Sequence, residues 1–154
     1  MKKYITYIFV SFFIIPIYGQ EDLWDVIREN SNFQYSADRP EIQKALKIYQ
    51  NNQYLVDRLS KNGQRYLYHM VDETLKRDMP VELALLPFVE SQFDPYAQSP
   101  AGASGIWQFI LSTAREQGLK RNWWYDGRRD IIASTNSALN YLDSVSYTHL
   151  RAHE

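Results

Sequence analysis

Cysteine is absent from the 154 residues. That excludes disulfides, thiol nucleophiles, thiolate metal sites and lipid attachment through a cysteine, while leaving the redox compartment open. Glycine and proline are sparse, six of each, and no stretch alternates apolar with polar residues over the length of a strand, so a sheet protein is not expected. An excess of one charge is missing too. The net charge of −1 supplies no basic field for nucleic acid, and no nucleic-acid partner is expected. No internal repeat recurs.

What the chain does have suits one globular domain with a real core: 45% hydrophobic residues against 23% charged, with 12 Tyr and 4 Trp among the aromatics. The opening "MKKYITYIFVSFFIIPIYGQ" has two lysines, an apolar stretch from Tyr4 to Tyr18 broken by Pro16, and the small Gly19. A membrane-spanning helix needs ~20 apolar residues, and this stretch is shorter. It reads as an export signal over 1–19, the alternative being a retained anchor. Either way the body is expected outside the cytoplasmic membrane, in the periplasm or cell envelope, with no stable membrane span once the signal is cleaved.

Residues 20–63 read as an N-terminal helical lead-in. Its first part, to about Arg39, is polar with scattered aromatics and is expected to be loosely packed. Pro40 suits a first helical turn, with Ile42, Leu46 and Tyr49 following at helical spacing. Leu55, Val56 and Leu59 form a second apolar set that closes at Asn62-Gly63. An amphipathic helix is expected over roughly Gln64 to Arg77. Pro80 then opens a segment, VELALLPFV, apolar on all sides and expected in the core up to Glu90. Asp94-Pro95 and Ser99-Pro100 mark a loop. Ser104 is a plausible N-cap for a helix from Gly105 to about Gln117 that ends at Gly118. Asp130 caps a last helix through Ile131, Ala138, Leu139 and Leu142.

Glu90 stands out because a carboxylate ending such an apolar segment is costly. Burial beside Phe88 and Val89 and the negative end of the helix both favour its neutral form, which a general acid requires. The plain alternative is a structural glutamate paired with a nearby arginine.

The block "VELALLPFVESQFDPYAQSPAGASGIWQF", followed by "STA" and "DGRRDIIASTNSALNYL", resembles the catalytic domain of bacterial lytic murein transglycosylases over roughly Gln64 to Asp143. The resemblance implies a mainly α, lysozyme-like domain of the goose-type lysozyme kind, here spanning 64–144, with the glutamate at the base of a sugar groove. It implies cleavage of the β-1,4 bond between N-acetylmuramic acid and N-acetylglucosamine in peptidoglycan glycan strands. The muramic acid 6-hydroxyl closes onto C1 to give a 1,6-anhydro end. One carboxyl acts first as acid and then as base, a substrate-assisted exception to the two-carboxylate rule. By position Glu90 is the catalytic residue. Ser99 matches the serine that contacts the acetamido group, Gln108 the glutamine that lines the groove, and Ile110 falls where relatives carry a methionine wall. No cofactor and no metal are expected, and a monomer is.

Asp94 is expected to be structural in its Asp-Pro turn, and Asp126 and Asp130 to form structural charge pairs with Arg128 and Arg129. Trp107, Trp123 and Trp124 could each stack on a sugar face, but core packing is the expectation for each. Tyr96 is left undecided. The alternatives are a lysozyme-type hydrolase that delivers water instead of the 6-hydroxyl, and an inactive glycan-binding fragment.

Two features depart from the family. The lipid-attachment cysteine is missing, and so are the further helices with an Ala-Tyr-Asn segment that the resemblance implies after Asp143. The chain as it stands is therefore expected to be nearly inactive. Its last ten residues, "VSYTHLRAHE" (145–154), place His149 and His153 at a spacing that invites zinc. That decapeptide resembles the translation of a transposon-based sequencing adapter, so 145–154 is expected to be non-native and no zinc site is expected there.

Overall fold

The computed structural model describes residues 22–31 and 38–151, with side chains to Val145. The expected leader at 1–19 and the side chains of His149 and His153 lie outside what is described. Helices follow one another as α1 (Leu23–Asn30), α2 (Pro40–Gln50), α3 (Gln53–Gly63), α4 (Leu67–Leu75), a 3-10 helix (Val81–Leu85), α5 (Leu86–Glu90), α6 (Leu111–Glu116) and α7 (Ile131–Arg151). The described residues contain no strand, only isolated bridges. The mainly α architecture is as expected.

Local chemistry explains most of the helix starts. Asp22 accepts from the Trp24 N–H and Asn52 from the Leu55 N–H, each satisfying an otherwise orphaned donor. Pro40 occupies the first turn of α2, where its missing N–H costs nothing. Asp130 caps α7 by accepting from the Ala133 N–H at 2.9 Å.

The core gathers Met70 and Val71 of α4, Val81 and Ala84 of the 3-10 helix, Phe93, Ile106, and Ala138 and Leu139 of α7. Helix α1 joins it through Ile27, which is buried, with Leu23 and Val26 half-buried against the same cluster. The lead-in before Arg39 is thus not loosely packed throughout. Three apolar side chains at helical spacing give α1 one sticky face, and the Ser31 hydroxyl donates to Glu82 Oε1 at 2.6 Å to fasten its end.

The apolar segment after Pro80 departs from the single buried helix expected of it. It divides into a 3-10 turn and a five-residue α-helix. The change of period rotates successive side chains onto different faces, so Pro87 is buried while Val89 is 82% exposed. After α5 the chain reverses through Gln92 and Phe93, both at positive φ (55° and 57°). Two such residues cost ~1–2 kcal/mol each. Burying the Phe93 ring, 1% exposed, returns ~1.5–3 kcal/mol. Its edge-on contact with Phe88, with centroids 4.5 Å apart at 88°, adds ~0.5–1.5 kcal/mol. The ring's burial outweighs the strain of its own backbone and offsets most of the cost at Gln92. The Asn62 amide donates to the Gln92 carbonyl at 3.0 Å and binds the end of α3 to this reversal.

The helix expected from Gly105 to Gln117 is also shorter than its sequence pattern. Ser104 is no N-cap: its N–H donates to the Phe109 carbonyl at 3.0 Å and closes a turn. Gly105 and Gln108 take positive φ (85° and 51°), which no helix interior tolerates, so α6 begins only at Leu111.

Candidate active site

Glu90 is the last residue of α5, and the next residue locks it in place. The Ser91 hydroxyl is buried and donates to the Ile106 carbonyl at 2.8 Å, so the end of α5 is joined to the Gly105–Gln108 turn. Two depressions meet there. One, of about 290 Å³, is mostly apolar and is lined by Leu86, Trp107, Ile110, Tyr141 and Leu142 among others. The second, of about 360 Å³, is polar and is lined by Arg58, Gln92, Gln98 and Ser99 among others. Glu90 and Gln108 line both. The structure therefore brings together all four residues singled out in the sequence, with Ile110 on the apolar side and Ser99 on the polar side.

The burial expected of Glu90 is not found. Its side chain is exposed because α5 is too short to carry it under the core and Val89 beside it faces water. Among the described residues that line the two depressions it is the single carboxylate. Asp94 is occupied in its own turn, accepting from the Tyr96 N–H at 2.8 Å, as the Asp-Pro reading expects.

Gln108 differs from its expected role in one respect. Its amide nitrogen donates to the carbonyls of Gly105 (2.7 Å) and Ala97 (3.3 Å). Both N–H groups are thus committed within the protein, and only Oε1 is left to meet a ligand, as an acceptor. Ser99 is similarly half-occupied. Its Oγ accepts from the Ala103 N–H at 3.1 Å and closes the Ser99–Ala103 turn, which leaves the hydroxyl proton available to donate.

Arg128 sits beneath these turns. It is buried, pairs with Asp126 at 2.7 Å, and donates to the carbonyls of Gly102 (2.9 Å) and Phe109 (3.3 Å). The hydrogen bond from Arg128 holds the Asp126 carboxyl below the ordinary carboxylate range, and the same bond pushes the guanidinium upward. The Asp126–Arg128 pairing was legible in the sequence, whereas Arg128's hold on the two carbonyls was not. Asp130 forms no pair with Arg129: it caps α7 and accepts from the Tyr125 hydroxyl at 3.0 Å, while Arg129 Nε donates to Ser104 Oγ at 3.1 Å. Nothing local to Ser91 in the sequence reveals that its partner lies fifteen residues on.

The tryptophans divide. Trp107 is 9% exposed and donates from Nε1 to Thr135 Oγ1 at 3.0 Å, which ties the turn to α7 in the core as expected. Trp123 and Trp124 are not in the core at all, being 88% and 90% exposed. Tyr96 is exposed as well. Among the described residues no cluster of His, Asp or Glu gathers that could hold a metal ion, and no helix is long and apolar enough to cross a membrane.

The transglycosylase SLT domain model matches residues 71–151. The chain is 42% identical over 125 residues to the membrane-bound lytic murein transglycosylase D of Escherichia coli (strain K12), a match covering 81% of this chain and 27% of that relative. A protein of Alteromonas sp. (strain M-1) named for tributyltin chloride resistance is 44% identical over 92 residues, 60% of this chain and 43% of its own length. The chain thus spans about a quarter of the length of the transglycosylase it matches. The stretch of the family match contains Glu90, the whole lining of the apolar depression, all of the polar one but Arg58, and the Arg128 anchor, and on that footing this chain belongs to the transglycosylase SLT domain family.

Proposed function

We propose that residues 64–144 form the catalytic portion of a peptidoglycan lytic transglycosylase acting on the β-1,4 bond between N-acetylmuramic acid and N-acetylglucosamine. The observation that carries this reading is the position of Glu90: it lines both depressions, and no second carboxylate lines either among the described residues. A hydrolase of the two-carboxylate type needs its second acid ~5–9.5 Å away across the sugar. With one carboxyl, the same group protonates the leaving oxygen and then takes the proton of the muramic acid 6-hydroxyl, whose oxygen closes onto C1. The product is a 1,6-anhydro end. The free Ser99 hydroxyl proton is suited to the acetamido carbonyl, the Gln108 oxygen to a sugar hydroxyl, and Ile110 forms part of the apolar wall. An envelope location goes with this reading, since the glycan lies outside the cytoplasmic membrane, as the leader at 1–19 would require.

The test uses the domain extended through the Ala-Tyr-Asn helices that the resemblance implies, with mass spectrometry of the muropeptides released from purified peptidoglycan. Anhydro ends, one water lighter than hydrolysed ends, are expected. Glu90→Gln should remove them by ~10²–10⁴-fold or more, the range of general acid catalysis. Hydrated ends would assign a lysozyme-type hydrolase instead, and activity within a few-fold of wild type in the variant would take Glu90 out of the chemistry.

A further inference from the structure

Trp123 and Trp124 stand almost fully in water on a loop that is anything but loose. Asn122 Oδ1 accepts from the N–H groups of both Trp124 and Tyr125 at 2.8 Å, and the Asn122 N–H donates to the Tyr125 carbonyl at 2.8 Å. The two ends of the loop are crossed by the Arg121–Asp126 ion pair at 3.5 Å, and the Tyr125 hydroxyl is fixed on Asp130. The indoles lie edge to face, centroids 6.4 Å apart at 86°, so neither ring is covered by the other in a stack. Displaying two large apolar rings on a rigid tip gains nothing for the fold. It lowers the entropic cost of a surface that binds.

The rings flank a cleft of about 570 Å³ whose lining mixes aromatic faces with hydrogen-bonding groups, Tyr96, Gln98, Arg121 and Arg129 among them. Gln98 also lines the polar depression that holds Glu90 and Ser99, so the two spaces share a wall. We propose that this aromatic cleft is a second contact for the glycan strand, gripping sugars beyond those at Glu90. The proposal rests on the reading of the substrate as peptidoglycan.

The chemistry of the lining favours a carbohydrate. A sugar ring presents a face of C–H groups to an indole and a rim of hydroxyls to donors and acceptors, and both are available here. A membrane-seeking patch would be apolar with unengaged cations around it, whereas here Arg121 and Arg128 are paired with Asp126, Arg129 donates to Ser104, and the carboxylate of Asp130 lies in the same cleft.

Retention on insoluble peptidoglycan sacculi tests the proposal in the present chain, carrying Glu90→Gln so that no strand is cut. Trp123→Ala with Trp124→Ala should weaken retention at least about tenfold, as loss of an aromatic anchor does, while Phe at both positions holds it within about threefold. Both rings are exposed, so the melting temperature should stay put. If the alanine pair nevertheless melts early, Trp124→Ala alone gives the same reading. Equal retention by the alanine and parent forms overturns the proposal, as does failure of both to bind sacculi. A loss confined to anionic phospholipid vesicles overturns it too, in favour of a membrane. Retention is read apart from cleavage, which is assayed in the extended domain with Glu90 intact: tryptophan-dependent binding without anhydro products from that domain keeps this inference and drops the catalytic reading. Cleavage that ignores the tryptophans does the opposite.

Discussion

Replacing Gly105 with alanine should break the turn beneath Glu90, and a neighbouring glycine supplies the control. Gly102 and Gly105 have nearly the same backbone conformation, φ +81° and +85°. Placing alanine at either therefore carries the same torsional cost, ~1–2 kcal/mol. Their surroundings differ completely. A Cβ on Gly102 would meet nothing within 4 Å, while one on Gly105 would lie 1.7 Å from the Arg128 carbonyl oxygen and 2.6 Å from its carbon. That neighbour is backbone, and its residue is pinned by the buried guanidinium's bonds to Asp126, Gly102 and Phe109. Relief requires the 105 turn and the 128 segment to separate, at an overpacking cost of about 1–3 kcal/mol beyond torsion. For a protein of this size that is a further drop of roughly 2–12 °C in melting temperature relative to Gly102→Ala. Because the Gly105 N–H donates to the Ala97 carbonyl and Ser91 is joined to Ile106, the displacement should also reach the groove. The assay is thermal unfolding of the two single variants side by side. Coincident melting curves would show that the close approach to Arg128 does not constrain the fold.

Two further outcomes follow from the same region. Gln108→Glu sets a carboxylate against the carbonyls of Ala97 and Gly105, so it should destabilise by about 1–3 kcal/mol and partly recover in acid, where a protonated carboxyl can donate one bond; denaturant titrations at two pH values would decide, and pH-independent stability would remove the clamp role. Asp126 has a lowered folded-state value because Arg128 bonds to it. Its stabilisation is therefore fully present above the unfolded carboxylate value of ~3.9 and is lost as pH falls through the lower folded value. The deficit of Asp126→Asn, roughly 3–5 kcal/mol near neutrality for a broken buried pair, should shrink below about pH 4. A constant deficit down to pH 2 would show that the pair is not what Asp126 contributes.

How far the sequence revealed this molecule depends on whether the deciding interaction was local. Pro40, Asp94 and Asp130 act within a few residues of themselves, and each does what its side-chain chemistry implies. The block from Val81 to Phe109 was legible as a pattern, and the four candidate residues do come together around two adjoining depressions. The failures have the opposite character. The stretch from Gly105 to Phe109 has helical spacing, but tertiary partners, Ala97 for two of its polar groups and Arg128 for the Phe109 carbonyl, overrule that spacing. Hydrophobicity alone places Trp123 and Trp124 inside, yet the Asn122 bonds hold their loop outward. Apolar neighbours imply a buried Glu90, but composition cannot register the change of helix type that turns Val89 to water.

The irregular segment from Ser99 to Phe109 has a consequence for how such proteins vary. It forms neither helix nor sheet ladder, so several of its backbone groups are satisfied by side chains: the Ala103 N–H by Ser99, the Gly105 carbonyl by Gln108, and the Gly102 and Phe109 carbonyls by Arg128. Most residues in that stretch therefore spell out a shape, and two of them, Ser99 and Gln108, also face the groove. A substitution there is filtered first for whether the loop closes, and only afterwards, under the proposed function, for whether a sugar turns over. Descendants that abandoned catalysis but still needed the loop would keep nearly the whole spelling. The letter free to drift would be Glu90, which stands in solvent and props up nothing around it.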